Sequence, residues 1–542
     1  MPPTTALMHA NPANFKAILD DIEQQFDLDQ HALDVITNKF LEDFNTGLGK
    51  YGEPMAMIPT FVTSVPDGTE TGTFLALDLG GTNLRVCEVT LNGDKTFSLR
   101  QQKYKVSEAL KTGEATVLFD YLADSVDAFL TSLGPSANSD SEATHIPLGL
   151  TFSFPVEQTA LDEGVILTWT KGFAAKNAIG NDVVKLLQDA FDRKHLHVKC
   201  VALVNDTVGA LLSRAYQAGG CILGCIFGTG TNGAYVEQVK NITKLKNSPV
   251  AAKGGEMIVN TEWGAFNNTR TILPSTPFDN KVDRESINPR FQAFEKFISG
   301  MYLGEITRNL LLALIDSAPH PILFAGRASK IMNTHYGFDT EYMSLIEAAW
   351  ESEEEPSSDP SASGPKLAEK KLSNGNLKTI DDESLLDFEK PLTAETIRPI
   401  TLHRLQKIRD VLVKNVGYEP EQVSLRDAAI VRWACAIVVQ RAARLSGCAV
   451  ATVIKQMGLE HRLKEELEQG GGWISVGVDG SLIQHYPRFE ERMRHSLRML
   501  IGEDLESKVE IGLAKDGSGV GAALCALVAT KEALVSKKEL NS

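Results

Sequence analysis

Phe74-Leu-Ala-Leu-Asp-Leu-Gly-Gly-Thr-Asn-Leu-Arg-Val86 decides how this chain is read. It spells an apolar strand, a tight glycine turn carrying an acid, and a returning strand. Gly80 and Gly81 tolerate positive φ and let backbone N–H groups approach an anion. Thr82, Asn83 and Arg85 add polar and cationic donors. Asp78 stands at the mouth, placed to orient Mg²⁺ or its waters. The unit reads as a phosphate cradle. It is not the Walker loop, because no G-x-x-x-x-G-K-[ST] occurs in the chain. The competing reading is an ordinary hairpin whose glycines serve only the turn.

A second hairpin weakens that alternative. Ile222-Leu-Gly-Cys-Ile-Phe-Gly-Thr-Gly-Thr-Asn-Gly-Ala-Tyr-Val-Glu237 has the same form. Gly-Thr-Asn occurs at 81–83 and again at 230–232, each time between apolar strand runs. A repeated supersecondary unit predicts a duplicated architecture. Two cradles can hold a polyphosphate from both sides, with Thr229 touching its β/γ end.

The bulk numbers fit an enzyme of two or more domains. The chain has 542 residues, 43% hydrophobic and 23% charged. A net charge of −16 argues against nucleic acid or an anionic membrane as partner. No apolar run predicts a membrane span. The opening Met1–Leu7 lacks the charged and apolar regions of a signal peptide. Seven scattered cysteines, mostly in apolar segments, read as buried thiols in a reducing compartment, so the expectation is a cytoplasmic protein. Cys221 and Cys225 have no matching partners for zinc and are read as structural. The oligomeric state stays open, a homodimer included.

Strand and helix patterns alternate along the chain, which predicts an α/β class. Residues 12–49 carry a helical pattern with Phe15, Ile18, Leu19, Ile22 and Phe26 on one face. Apolar residues at 118, 122, 126, 129 and 133 mark an amphipathic helix. Residues 148–154 and 198–204 read as strands, 182–191 and 207–217 as helices. Ser424 to Lys455 is strongly helical, with a break expected at Gly447. Trp473–Ser481 is a strand and turn, and Ile511–Leu524 a strand, a glycine turn and a helix start. The stretch 351–380, rich in Ser, Pro and Glu, cannot bury enough apolar surface to order itself and reads as a disordered, solvated insertion.

Asn205-Asp206-Thr207 follows an apolar strand and precedes a helix. Strand carboxyl ends are where α/β folds place ligands. All three residues are also good N-caps, so position alone favours a cap for Asp206. The phosphate cradles shift the reading toward a general base. Phosphoryl transfer passes through a loose transition state, so an acid of ordinary pKa suffices to orient a hydroxyl and take its proton late. A polyol acceptor needs many hydrogen-bonding side chains. Ser153, Thr170, Lys171, Asn205, Asn232, Glu262 and Glu295 lie in apolar strands and turns. Trp263, beside Glu262, is of a type that lines sugar sites. Glu295 has the weakest case, since it looks like an acid at an exposed helix start.

Taken together these stretches resemble the eukaryotic hexokinase family, and within it the fungal glucokinases. The matching segments are 77–85, 150–155, 169–173, 205–209, 226–233, 260–264, 294–296 and 515–524, in family order over most of the chain from about 50 to 530. The resemblance implies an actin-like, ribonuclease H-like duplicated fold with two lobes around a sugar cleft. The small lobe would comprise 72–206 plus about 520–535, and the large lobe 1–71 plus 207–519. Asp206 would be the general base. Ser153, Thr170, Lys171, Asn205, Asn232, Glu262 and Glu295 would bind the hexose. Asp78, Gly80, Gly81, Thr82, Asn83 and Arg85 would form the first phosphate site, with Asp78 near the metal. Thr229, Gly477, Asp479, Gly480, Ser481, Gly517 and Ser518 would complete the nucleotide side. The implied reaction is ATP- and Mg²⁺-dependent phosphorylation of glucose at the 6-hydroxyl, the first step of glycolysis. After Lys103-Tyr104 the chain departs from the hydrophobic-Pro element of many relatives, which leaves Lys103 without an inherited role. An N-acetylhexosamine kinase and a non-catalytic sugar sensor are the alternatives; a sensor would be expected to lose Asp206, a sugar acid or a cradle glycine, and none is lost.

Overall fold

A computed structural model describes residues 3–80, 83–134, 145–169, 172–352, 383–460 and 473–540. Gly81, Thr82, Thr170, Lys171 and nearly all of the 351–380 insertion lie outside the described residues.

The two hairpins nucleate two sheets. In the first, β2 (Thr71–Leu79) returns as β3 (Asn83–Asn92) and then β4 (Phe97–Lys105), all antiparallel. On its other side β2 pairs in parallel with β5 (Ile146–Phe152), which pairs in parallel with β8 (Val198–Val204). The order is β4-β3-β2-β5-β8. In the second sheet, β9 (Leu223–Phe227) returns antiparallel as β10 (Thr231–Gln238) and β11 (Glu256–Asn260). On its other side β9 pairs in parallel with β12 (Ile474–Asp479), and β12 with β13 (Val509–Leu513). A short β1 (Ile58–Pro59) extends the far edge. Apart from β1 the two sheets have the same order and the same antiparallel-then-parallel sense. This is the duplication that the repeated Gly-Thr-Asn predicts. A small ribbon of β6 (Val156–Ala160) and β7 (Glu163–Ile166) stands apart.

Helices cover both sheets because their apolar spacing matches the helical period. The 12–49 pattern resolves into α1 (Phe15–Phe26) and α2 (Gln30–Gly49). Asp27 turns extended between them, and Asp29 caps α2 by accepting from Ala32 N. All five predicted apolar residues of α1 are buried. On the first sheet, α3 (Ala115–Leu133) buries Leu118, Leu122, Val126 and Phe129, and α4 (Val183–Arg193) starts at its N-cap Asp182. Between the sheets lie α5 (Asp206–Ala218) and the C-terminal helix Gly517–Leu540. Beyond the second sheet stand α6 (Pro277–Glu285), α7 (Ala293–Ile298), α8 (Gly300–Ile315), α9 (Thr340–Glu351), α10 (Pro399–Lys414), α11 (Leu425–Gln456) and α12 (Phe489–Ile501). The C-terminal helix is α13.

α11 is one unbroken helix of 32 residues, apolar enough by composition to cross a membrane, yet 94% of its apolar window is buried inside the protein. A helix apolar on all sides is a core helix when other elements surround it. The break expected at Gly447 does not occur. Gly447 serves close packing instead: a Cβ there would lie 2.1 Å from Ser496 Oγ and 2.7 Å from Met493 O on α12.

This packing is testable. Gly447→Ala forces α11 and α12 apart and is expected to lower stability by about 1–3 kcal/mol. Urea unfolding followed by circular dichroism reads the effect, and a midpoint equal to the parent's refutes the packing role.

Candidate active site

Both glycine turns lie at the carboxyl ends of strands that have a parallel neighbour, the position where open α/β sheets bind ligands. In the first turn, Gly80 N donates to Asn83 O at 3.1 Å and closes the loop. Asp78, buried at the end of β2, faces Arg85 across the hairpin. Arg85 Nε donates to Asp78 Oδ2 at 2.9 Å, and Nη2 reaches the same oxygen. Arg85 Nη2 also lies 3.5 Å from Ser518 Oγ. Ser518 is in turn held to β5, where Thr151 Oγ1 donates to its carbonyl at 2.7 Å. Ser153, buried, follows directly after β5. Lys103 sits opposite Arg85 in the β3–β4 register, so the two side chains share a face.

The capping ambiguity at 205–207 is resolved by division of labour. Asn205 is the N-cap of α5: its Oδ1 accepts from Thr207 N at 2.9 Å and from Thr207 Oγ1 at 2.6 Å. Asp206 is the first helical residue, half-buried, with Oδ1 accepting from Thr207 N at 2.9 Å. The cap is therefore Asn205, and Asp206 stands in the first turn of α5.

Around the second turn the polar residues converge. Asn232 Nδ2 donates to Asn260 Oδ1 at 2.8 Å and lies 3.4 Å from Glu262 Oε1. Asn260 Nδ2 donates to the same Glu262 oxygen at 2.9 Å. Glu262 holds φ 54° and ψ 41°, a left-handed conformation that costs a non-glycine residue roughly 1 kcal/mol or more. Glu295 was expected at an exposed helix start. It is half-buried instead, and its Oε2 accepts from Thr231 N at 3.1 Å. Gly230 makes room for it, since a Cβ there would lie 2.7 Å from that oxygen. Trp263 does not line the site. It is fully buried with its ring over Gly233, and its Nε1 donates to Thr231 Oγ1 at 3.1 Å.

The tip of the second turn rests on the start of α8: Gly300 N donates to Gly228 O at 2.7 Å and Met301 N to Thr229 O at 3.2 Å. Thr229 is left exposed. The Asp479–Ser481 turn packs on the other side, where a Cβ on Gly480 would lie 2.5 Å from Phe227 O. Gly480 has φ +114°, a value suited to glycine. Gly517 and Ser518 begin α13. Gly477 belongs to a deeper layer: it is buried under Arg214 of α5, whose Cβ would lie 2.7 Å from an added side chain.

Electrostatics join these parts. Burial pushes the Asp479 carboxyl up from its ordinary value; the Gly480 N–H opposes this, the charges of Asp206 and Asp516 add to it, and Arg85 works against it. Asp206, Asp479, Asp516 and Arg85 therefore feel one another's fields across the junction of the sheets. A divalent cation brought in with a polyphosphate suits such an acidic set. Among the described residues, the group with metal-ligand spacing is elsewhere: Glu285, Glu305 and His335. Glu305 there is already engaged by Arg308, Asn309 and the Tyr336 N–H.

The sequence reading missed Asn260, which is buried and bridges Asn232 to Glu262. Its signal was its place two residues before Glu262, the spacing that keeps side chains on one face of an extended chain.

Two sequence profiles described as Hexokinase match residues 18–216 and residues 222–363 with 365–528. A glucokinase of Aspergillus niger is 38% identical, over 95% of this chain and 98% of the relative. Glucokinase-1 of Saccharomyces cerevisiae is 36% identical, over 94% and 97%. A solved hexokinase from Schistosoma mansoni, complexed with glucose, superposes with a TM-score of 0.73 at 32% identity, over 96% of this chain and all of that one. The duplicated sheets are the two-lobed, actin-like fold of these enzymes, and the chain belongs to the hexokinase family.

Proposed function

We infer that this protein transfers the terminal phosphoryl group of ATP to the 6-hydroxyl of glucose, giving glucose 6-phosphate. The observation that carries the reading is Asp206: a half-buried carboxylate in the first turn of α5, just past the carboxyl end of β8, with Asn205 as the N-cap. ATP enters as its Mg²⁺ complex, a substrate. The first glycine turn and the Thr229–Gly230 tip of the second take its phosphate oxygens, with Arg85 as fixed cation. Asp78, tied to Arg85, is the carboxylate that would face the metal's side of the nucleotide. Asp479–Ser481 and Gly517–Ser518 line the nucleotide side.

Glucose lies against Asn232, Glu262 and Glu295, with Ser153, Thr170, Lys171 and Asn205 completing the ring of partners. Asp206 accepts a hydrogen bond from the 6-hydroxyl and takes its proton as the O–P bond forms. The small lobe, 72–206 with about 520–535, closes on the large lobe, 1–71 with 207–519, and excludes water as a competing acceptor. The activity is placed in the cytoplasm, in keeping with seven cysteines that are all buried and unpaired.

Two variants test this. Asp206→Asn is expected to lower kcat by about 10²–10⁴ or more while glucose still binds. A coupled ADP-release assay beside calorimetry with glucose measures both; a folded variant that keeps its kcat removes Asp206 from the role of base. Asn260→Ala unties Asn232 from Glu262 and is expected to raise the glucose KM about tenfold, from about 1–3 kcal/mol of lost support. An unchanged KM would assign Asn260 to folding alone.

A further inference from the structure

α7, which carries Glu295, has only six residues and no side-chain cap. The loop before it is strained. Arg290 has φ +67° and Gln292 φ +53°, two left-handed non-glycine residues within three positions. Each costs roughly 1–3 kcal/mol unless the surroundings over-determine it. What holds this loop is a buried pair of charges, Asp283 and Lys296.

Asp283, near the end of α6, is 7% exposed. Its two oxygens accept from Arg290 N at 3.0 and 3.2 Å, and one accepts from Lys296 Nζ at 2.9 Å. Arg270 closes on it from a third direction. Lys296, 4% exposed and the residue after Glu295, also donates to Asn288 O at 2.7 Å. The loop is thus tied at Asn288 and at Arg290 to one ammonium–carboxylate pair, and the ammonium comes from α7 itself. Burial alone would push the Asp283 carboxyl up, but Lys296, the Arg290 N–H and Arg270 outweigh it and hold it below its ordinary value. A buried pair of this kind contributes little net stability compared with apolar packing. It fixes geometry.

We propose that Asp283 is a positioning residue for the hexose site: through Lys296 and the Arg290 N–H it sets where α7 presents Glu295. This rests on the reading of Glu295 as a glucose contact. Asp283 is buried against Lys296 and the Arg290 N–H, and Asp206 sits on a different element, so losing the tie should act on glucose affinity and spare the chemical step.

Steady-state kinetics and glucose calorimetry on the full chain test the proposal. Asp283→Asn is expected to raise the glucose KM and Kd about tenfold or more, with kcat and the ATP KM within about threefold. Arg290→Gly keeps the N–H that Asp283 holds and relaxes the left-handed φ. Alone it should leave the glucose KM within about twofold, and combined with Asp283→Asn it should restore about threefold or more of the loss. A merely structural role would not produce that recovery. Lys296→Met leaves Asp283 with Arg270 and the Arg290 N–H. It carries the expectation of a glucose KM raised about threefold or more even if Asp283→Asn fails to fold. A folded Asp283→Asn or Lys296→Met with unchanged glucose KM and Kd overturns the proposal, as does a loss confined to kcat or a double variant no better than Asp283→Asn. A parent chain that binds glucose without turning it over overturns the phosphotransfer reading, while the Kd comparison still decides Asp283. A parent that binds no glucose overturns both.

Discussion

The contact between α5 and α13 is made backbone to backbone. A Cβ on Gly521 would lie 2.1 Å from Gly209 Cα, and one on Gly209 would lie 2.7 Å from Gly517 O. α13 is pressed as tightly on the first sheet, where a Cβ on Gly149 would lie 2.0 Å from Ala522 O. Helices with ordinary side chains between them stand 8–10 Å apart. Glycine at these points allows the closer approach, and dense packing then admits little slack. Asp206 opens α5, and Gly517–Ser518 opens α13. The spacing of the two helices therefore fixes the candidate base relative to Ser518, and through Ser518 to Arg85 and Thr151. Ser213 Oγ, donating to Lys515 O at 2.9 Å, adds a second tie along the same seam.

That seam also explains the cleft's electrostatics. The chain carries a net charge of −16 and acts on a polyanion. Asp206, Asp479 and Asp516 share the junction of the sheets with Arg85. In the proposed reading, recognition of phosphate falls on the glycine turns. In the same reading, a divalent metal accompanying ATP would add positive charge beside these acids. The acids thereby favour the metal-bound nucleotide over the bare anion.

Much of this was legible in the sequence because two short motifs carried both fold and chemistry. The repeated Gly-Thr-Asn pointed to two sheets of equal topology, and apolar periodicity placed α1, α3 and α4. What escaped were long-range contacts, which local pattern does not encode. Gly447 looked like a helix break because its partner, Ser496, is distant in sequence. Gly477 was named only through the family resemblance, and the Arg214 side chain packed above it belongs to α5. Glu295 looked exposed because the Thr231 N–H and the gap at Gly230 come from another element. Trp263 was read for its chemistry as a sugar platform, while the fold uses it as core beneath Gly233. In each case the residue type was right for a close contact, and the partner lay beyond any local window.

Backbone strain recurs along the stretch that joins the proposed hexose contacts Glu262 and Glu295. Glu262, Asn267, Arg270, Arg290 and Gln292 all have positive φ. Five such residues amount to on the order of 5 kcal/mol or more of backbone cost at roughly 1–3 kcal/mol each. The same region holds the buried pairs Asp283–Lys296 and Asp279–Arg441, with the Arg441 guanidinium centred 4.5 Å from the Phe26 ring and 4.6 Å from the Phe297 ring. Strained backbone and buried charge are each poor ways to gain stability. Their coincidence is intelligible if geometry is what the region must secure. A pocket that hydrogen-bonds hydroxyls discriminates through polar groups left unpaired by the wrong substrate, and such groups must not be free to adjust. Glu262 and Glu295 meet that condition because the chain around them has been given almost no alternative arrangement.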